Sequence, residues 1–417
     1  MKLSGSFPPQ IFSEGLLSAH FEFNNTTSLA QAASKGATQE PRKVHTVKHP
    51  DSPRSVAIIG TGLAGASCAA SLHQAGLHVT LFDKARGVGG RMASRRAQWL
   101  DAQGNPEAAE FDHGAPCFTA RHPRFKAALR RAQQAGAVAA WSPQIHAAWP
   151  APALRPGFVA QPGMSAWCRH LLADLPVLLE HAVQRLQRGV DGWHLVSDDG
   201  DTTGPFDQVV LAMPPAQAAR LLAGHQDHWA DTLCSLPMQA CWTLMATTDE
   251  PDWPWDGAVP ASGPLALVLR NDRKPGRNAP AGRATWVAHA TPEWTQAHLE
   301  TDAKLVHTAL VVALAQLLPG GRPDGAGQAR APDPAFAFAA PVAWHHSSVH
   351  RWRYASVVRS AHRAIADECW WDGSLGLGVC GDYFSDGTVE AAWRSGDELA
   401  DTLAAWMEQA QPVAETV

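Results

Sequence analysis

Apolar positions along the chain fall into short unbroken runs, amphipathic stretches and long polar intervals, and their order predicts the elements. Val56-Ala57-Ile58-Ile59 is an unbroken run of the kind carried by a strand buried on both faces, and it gives way at once to Gly60-Thr61-Gly62-Leu63-Ala64-Gly65. A helix is expected from about Ala64 to Gln74, stopped by Gly76 in the left-handed conformation that helix ends favour. His78 to Phe82 is the next strand, and Asp83 ends it. Farther on, the pattern predicts a strand from Glu110 running into a loop by Thr119, and a helix from about Pro123 to Ala135. Short strands follow near Val177 to Leu179, at Val183, at Trp193 to Ser197 and at Gln208 to Met213, with Asp198-Asp199-Gly200 as a turn. Thr308 to Leu318 reads as one buried helix, short of the roughly 18 apolar residues that a membrane span needs. Leu375 to Cys380 is a last buried strand, and a final helix opens after Gly387.

The glycine spacing after the first strand carries chemistry. Gly60 permits a tight turn, Gly62 lets the backbone approach a pyrophosphate, and Gly65 lets the helix pack close to the strand. The N–H groups of Leu63 and Ala64 open the helix toward that phosphate site. Asp83 follows about 20 residues on, where a carboxylate meets a ribose diol. Strand, glycine turn, helix and acid together predict a dinucleotide across the first β-α-β unit.

Beyond the acid the chain reads Asp83-Lys84-Ala85-Arg86-Gly87-Val88-Gly89-Gly90-Arg91-Met92. This resembles the Arg-x-Gly-Gly-Arg segment of the flavin amine oxidase superfamily, most closely that of its renalase-type flavoproteins. The resemblance implies non-covalent FAD, with Lys84, Gly90, Arg91 and Met92 beside it and the Arg91 guanidinium on phosphate oxygens. It also implies that His113-Gly114 lies at the flavin, although Pro116 and Cys117 depart from the usual continuation. It assigns a backbone contact to adenine at Val183, and it brings the Asp382 carboxylate to the ribityl or pyrophosphate region. Val389 and Glu390 open a helix whose N–H groups face the flavin pyrimidine ring. Thr388 and Ala391 are mild departures there.

The implied fold is α/β with an α+β second domain: a Rossmann-like FAD-binding domain of the two-dinucleotide type and an antiparallel-sheet substrate domain. The expected boundaries assign 54–118, 158–217 and 370–410 to the first domain and 119–157 and 218–369 to the second. Residues 1–53 read as a disordered extension without a secretory signal, 411–417 as a tail, and Gly320 to Pro334 as a surface loop. His345, Arg353 and Tyr354 lie in an unusual run of cations and aromatics, Trp344 to Ala355, and are candidates for holding a pyridine ring or a phosphate. A strand whose arginines face water remains the other reading.

Composition narrows the partners. Net charge is −5, so no global basic field points to nucleic acid or an anionic membrane. Seven scattered cysteines, without a C-x-x-C pair, read as reduced residues of a cytoplasmic protein and not as a metal site. Cys380 is a conceivable covalent flavin anchor, but its expected place is inside the last buried strand. The resemblance implies oxidation of a reduced pyridine nucleotide, such as a dihydro isomer of NAD(P)H, by hydride transfer to flavin N5, with O2 accepting the electrons and hydrogen peroxide leaving. No residue stands out as a proton-transfer catalyst. An amine oxidase is the alternative, weakened by a content of two tyrosines, Tyr354 and Tyr383. A desaturase-type oxidase and a non-catalytic FAD-binding module also stay open.

Overall fold

The computed structural model describes residues 54–147, 156–318, 343–358 and 365–409. The extension, the 320–334 loop and the 411–417 tail lie outside the described residues. Strand β1 (Ser55–Ile59) sits between β2 (His78–Phe82) and β12 (Gln208–Leu211), parallel to both. The sheet continues to β8 (Val177–Leu178) beyond β2, and on the other side to β19 (Leu377–Val379) and the antiparallel edge strand β18 (Trp370–Asp372). Its inner strands are covered on both faces, which is why β1, β12 and β19 show no polar alternation.

Helix α1 (Leu63–Gln74) and the long α8 (Val389–Gln409) cover one face. A Cβ on Gly396 would lie 2.0 Å from the Ala64 carbonyl oxygen, so these helices meet backbone to backbone. Helix α3 (Ala166–Leu171) packs beside α1. Against the other face stands an antiparallel meander of β9 (Val183–Arg188), β10 (Trp193–Ser197) and β11 (Thr202–Phe206), with α4 (Pro215–Leu222) and α5 (Asp227–Ser235) beside it. Trp193, Leu195 and Phe206 bury against Ala57, Ile59 and Phe82 there.

The second sheet runs β17 (Trp344–Val357), β13 (Met238–Asp249), β16 (Arg283–Ala290), β15 (Leu265–Arg270), β14 (Gly257–Val259) and β6 (Ile145–Ala147). It is antiparallel except between β14 and β6. Alternation along β13 divides its faces. Trp242, Leu244 and Ala246 join a core with residues of α7 (Ala303–Ala315) and with Trp294 of α6 (Pro292–Ala297). Met245 points the other way, to Val287, Ala109 and Phe111. The latter two belong to a hairpin of β3 (Arg95–Leu100) and β4 (Pro106–Phe111). Helix α2 (Pro123–Gln134) and the pair β5 (Val138–Trp141) and β7 (Gly157–Ala160) complete the described α-helices and strands.

The expected α/β architecture with an antiparallel second sheet is the one observed. The strand expected at Glu110 is the end of β4, which runs into a loop after Phe111 where Asp112 turns into a buried ion cluster. Two local expectations change. The helix expected at Thr308 begins at Ala303, where the Asp302 side chain accepts from Lys304 N–H and caps it. Cys380 follows the last strand and is wholly buried with a free thiol.

Candidate active site

Two glycine turns abut along one wall of a cleft. Gly60 has φ +115°, and a Cβ there would lie 2.2 Å from the Ala212 carbonyl oxygen, so the turn tolerates no side chain. Gly65 lies beneath it, buried, with space for a Cβ only 2.0 Å from the Gly60 oxygen. It shapes the turn without lining the cleft. Gly62 has open space before it, the nearest atom to a Cβ being Gly90 Cα at 3.9 Å. The second turn is tied on by Gly89 N–H donating to the Thr61 carbonyl at 3.0 Å. Helix α1 starts at Gly62 with no side-chain cap, so its first N–H groups remain available, and Leu63 and Ala64 line the cleft.

Asp83 is held rigidly at the edge. One carboxylate oxygen accepts from the Thr61 N–H at 2.8 Å and the Thr61 hydroxyl at 2.6 Å, while the other accepts from Ala85 N–H at 2.9 Å. Lys84, Gly90, Met92, Gly114, Val183 and Val389 also line the cleft. The Lys84 ammonium donates to the Gln217 side chain at 3.1 Å.

Arg91 lines the cleft and is paired within the chain. Its two terminal nitrogens donate to the two oxygens of Asp382 at 2.7 and 2.6 Å, so in this structure the guanidinium lies on a carboxylate. Burial works against the charged form of Arg91, but Asp382 beside it outweighs burial and raises its pKa. Asp382 is likewise committed to Arg91 and does not point freely to a ribityl chain. Glu390 is a correction: its carboxylate accepts from the N–H groups of Arg121 and His122 at 2.6 and 2.7 Å, satisfying the entry to α2 instead of lining the cleft.

The opposite wall comes from the second sheet. His350 of β17 and His289 of β16 flank Thr243 of β13 in register, so both stand on the face toward the cleft, and both line it. The His113 ring stacks on Trp352 at 5.0 Å and meets His350 edge-on at 4.9 Å, while the Trp352 indole N–H donates to the His113 carbonyl at 2.9 Å. His113 is 6% exposed, and its Nδ1 has no hydrogen-bond partner. Burial, then His350 and Arg95, lower its pKa to about 4. Burial and Lys274 lower that of His289 to about 4 as well, so both imidazoles are neutral at pH 7.

The three substrate candidates separate by strand parity. Tyr354 lines the cleft. Arg353 reaches its rim, but the guanidinium is paired with Glu300 at 2.6 and 2.9 Å. His345 is outside the cleft lining, its ring bonded to Asp249 at 2.8 Å. His289, His350 and Arg95 were not among the candidates, although period-2 alternation through His346, His350, Trp352 and Tyr354 marks one face of β17.

A buried ion cluster fixes the loop that carries His113. Asp112 accepts from Lys274 at 3.2 Å, from Arg277 at 2.7 and 3.0 Å, from the Ser94 hydroxyl at 2.8 Å and from Met164 N–H at 2.9 Å. Burial raises the Asp112 pKa, but Lys274, Arg277 and these hydrogen bonds outweigh it and hold the carboxyl at about 2.

The cleft has a volume of about 1950 Å³, well above the roughly 300–1,000 Å³ of an ordinary small-molecule pocket. It accommodates a dinucleotide and a second molecule. The bare Gly62 approach and the uncapped α1 N-terminus fit the pyrophosphate of FAD, and Asp83 fits its adenosine ribose. Among the described residues no helix is long and apolar enough to cross a membrane.

Residues 58–132 match an NAD(P)-binding Rossmann-like domain, and residues 146–404 match the flavin containing amine oxidoreductase family. Cyclohexylamine oxidase from Brevibacterium oxydans IH-35A superposes with a TM-score of 0.57 at 14% identity, over 86% of this chain and all of that one. A putrescine oxidase variant with redesigned cofactor binding gives 0.59 at 14% identity, over 85% of this chain and 99% of its own. At such identities the likeness is one of fold. A 196-residue stretch is 32% identical to the tRNA 5-methylaminomethyl-2-thiouridine biosynthesis bifunctional protein MnmC of Magnetococcus marinus, covering 38% of this chain and 29% of that relative. With a family match over more than half its length and a cleft built for a dinucleotide, the chain belongs to the flavin containing amine oxidoreductase family and is an FAD-dependent oxidoreductase.

Proposed function

We propose that the protein oxidises a reduced pyridine nucleotide, such as a dihydro isomer of NAD or NADP, with O2 as acceptor and hydrogen peroxide as product. FAD, once bound, would supply the hydride acceptor and the route by which electrons reach oxygen. The first-turn N–H groups of α1 and the Gly62 backbone hold the pyrophosphate, Asp83 the ribose, and the Val183 backbone the adenine. The Arg91–Asp382 pair frames the ribityl region, and the N-terminus of α8 at Val389 stabilises negative charge on the pyrimidine side. His113, His350, Trp352 and Tyr354 wall the substrate side, exclude water and offer faces for a pyridine ring. Hydride transfer asks for orientation and no acid or base, in keeping with imidazoles that stay neutral at pH 7.

The observation that carries this reading is the charge of the cleft. Its lining includes Lys84, Arg86, Arg91, Arg95, Arg96, Arg220, Arg351 and Arg353, against the carboxylates of Asp83 and Asp382 alone. Asp382 is paired with Arg91 and Asp83 is held at the edge where the adenosine ribose is expected, so a protonated amine finds no counter-charge on the substrate side, whereas a phosphate-bearing substrate finds Arg95 and Arg96, which pair with no carboxylate among the described residues. Tyr383 is wholly buried, which leaves Tyr354 as the tyrosine on the cleft and removes a two-tyrosine cage. The amine reading keeps one support: the same neutral rings would accept an uncharged amine.

Anaerobic stopped-flow of the flavin-loaded protein decides between them. Rapid bleaching of flavin absorbance by a dihydropyridine isomer, with peroxide on admitting O2, is the expected result. Bleaching by amines alone overturns it, and bleaching by neither points to a non-catalytic flavin.

A further inference from the structure

We propose that Arg95, His350 and His113 form a subsite for a phosphate carried by the molecule that the protein oxidises. The inference deepens the proposed function and rests on it for the identity of that molecule, but not for the anion site itself.

Three observations converge on this corner. Arg351 and Arg353 share the Glu300 carboxylate, and Arg91 pairs with Asp382, whereas Arg95 and Arg96 pair with no carboxylate among the described residues. Arg95 opens β3 opposite Phe111 and lines the same cleft as His113 and His350, and its charge lowers the pKa of His113, His346 and His350. Second, His113 keeps a buried Nδ1 without a partner, and a buried polar atom left unsatisfied is costly. Third, the His350 ring lies 4.9 Å from that of His113, and both residues line the cleft.

A neutral imidazole carries one N–H and one bare nitrogen, so in the Nδ1–H tautomer the unpartnered His113 Nδ1 is a donor beside an unpaired guanidinium. A cation placed there meets Arg95, and an apolar group leaves both Arg95 and His113 unsatisfied. A phosphate oxygen accepts from the Arg95 fork and from imidazole N–H at once, the charge-assisted geometry that makes arginine a phosphate reader.

Isothermal titration calorimetry on the oxidised, flavin-loaded protein tests this without turnover, using nicotinamide mononucleotide, nicotinamide riboside and inorganic phosphate as probes. The mononucleotide is expected to bind at least tenfold more tightly than the riboside, with phosphate competing against it. In Arg95→Gln the gap closes and phosphate ceases to bind, while Arg95→Lys, which keeps the charge, restores part of both. Lys126→Gln, on α2 outside the cleft, leaves both intact. A gap that survives in Arg95→Gln protein with unchanged flavin content and melting, or no gap in the wild type, overturns the subsite. If neither nucleotide probe binds, the phosphate titration alone decides: Arg95-dependent binding supports the subsite, and Arg95-independent or absent binding overturns it. Failure of the pyridine-nucleotide reading shows separately, as absence of flavin bleaching.

Discussion

The Arg91 guanidinium grips both oxygens of the Asp382 carboxylate at 2.6 and 2.7 Å across 291 residues of sequence. The pair joins the second glycine turn to the segment that follows the last strand, so the two halves of the cofactor site hold each other in place. Asp382→Asn removes one charge-assisted pair worth about 1.5–3 kcal/mol. The expected outcome is a folded protein whose FAD dissociation constant rises by roughly ten- to a hundredfold. Flavin-to-protein ratio after dialysis, followed by back-titration with FAD, measures it.

The glycines of the first turn fail in different ways. Gly60→Ala puts a methyl against the Ala212 carbonyl at a positive φ, so the turn itself cannot form and little folded protein is expected. Gly62→Ala has 3.9 Å to its nearest neighbour and folds, but its methyl stands where a phosphate approaches. Near-normal melting of the apoprotein with loss of bound FAD is the expected pair of results, and retained FAD in Gly62→Ala would count against the cradle.

Two buried cations, Lys274 and Arg277, share the Asp112 carboxylate, and Asp112→Asn removes it. A loss of about 3–5 kcal/mol at pH 7 is expected. The carboxyl sits near 2 in the folded chain, below its unfolded value, so its contribution is complete above about pH 4 and fades as pH falls through about 2. Denaturant titrations at pH 7, 4 and 2.5 should show the wild type and the variant converging in acid.

The histidine row adds a pH dependence at milder values. His113, His289 and His346 are held near 4, chiefly by burial, so the unfolded chain takes up protons first as pH drops. Their contribution is whole above pH 6.5 and is lost on descending toward 4. For buried His113 the limit is about 3 kcal/mol. His113→Phe should flatten the fall in stability between pH 6.5 and 4, and an unchanged slope would remove His113 from this account.

The first β-α-β unit was legible because each residue there answers to a local rule: an apolar run, a glycine at positive φ, a helix stop at Gly76. The FAD-domain strand Trp193–Ser197 follows from alternation and a turn in the same way. Contacts that depend on distant partners were not legible. Nothing local tells that Glu390 serves the backbone of Arg121 and His122, or that Asp112 meets Lys274 across 162 residues. The hairpin of β3 and β4 was missed because Arg95-Arg96-Ala97-Gln98 lacks an apolar run, its burial coming from the second sheet. Strand β17 is an intermediate case. Its alternation was visible, yet the cations drew attention to His345 and Arg353 on one face, while His350 and Trp352 stand on the other.

Strand β19 and the opening of α8 complete the cradle that β1 and α1 begin, since β19 pairs with β12 and α8 lies on α1. On the ribosome the Gly60 loop emerges more than 300 residues before that closing segment. Until it arrives, β12 has an open edge and Arg91 lacks its carboxylate, so the cradle stays incomplete through most of synthesis. A chain stalled before Leu377 would emerge colourless, with an exposed strand edge of the kind that invites aggregation.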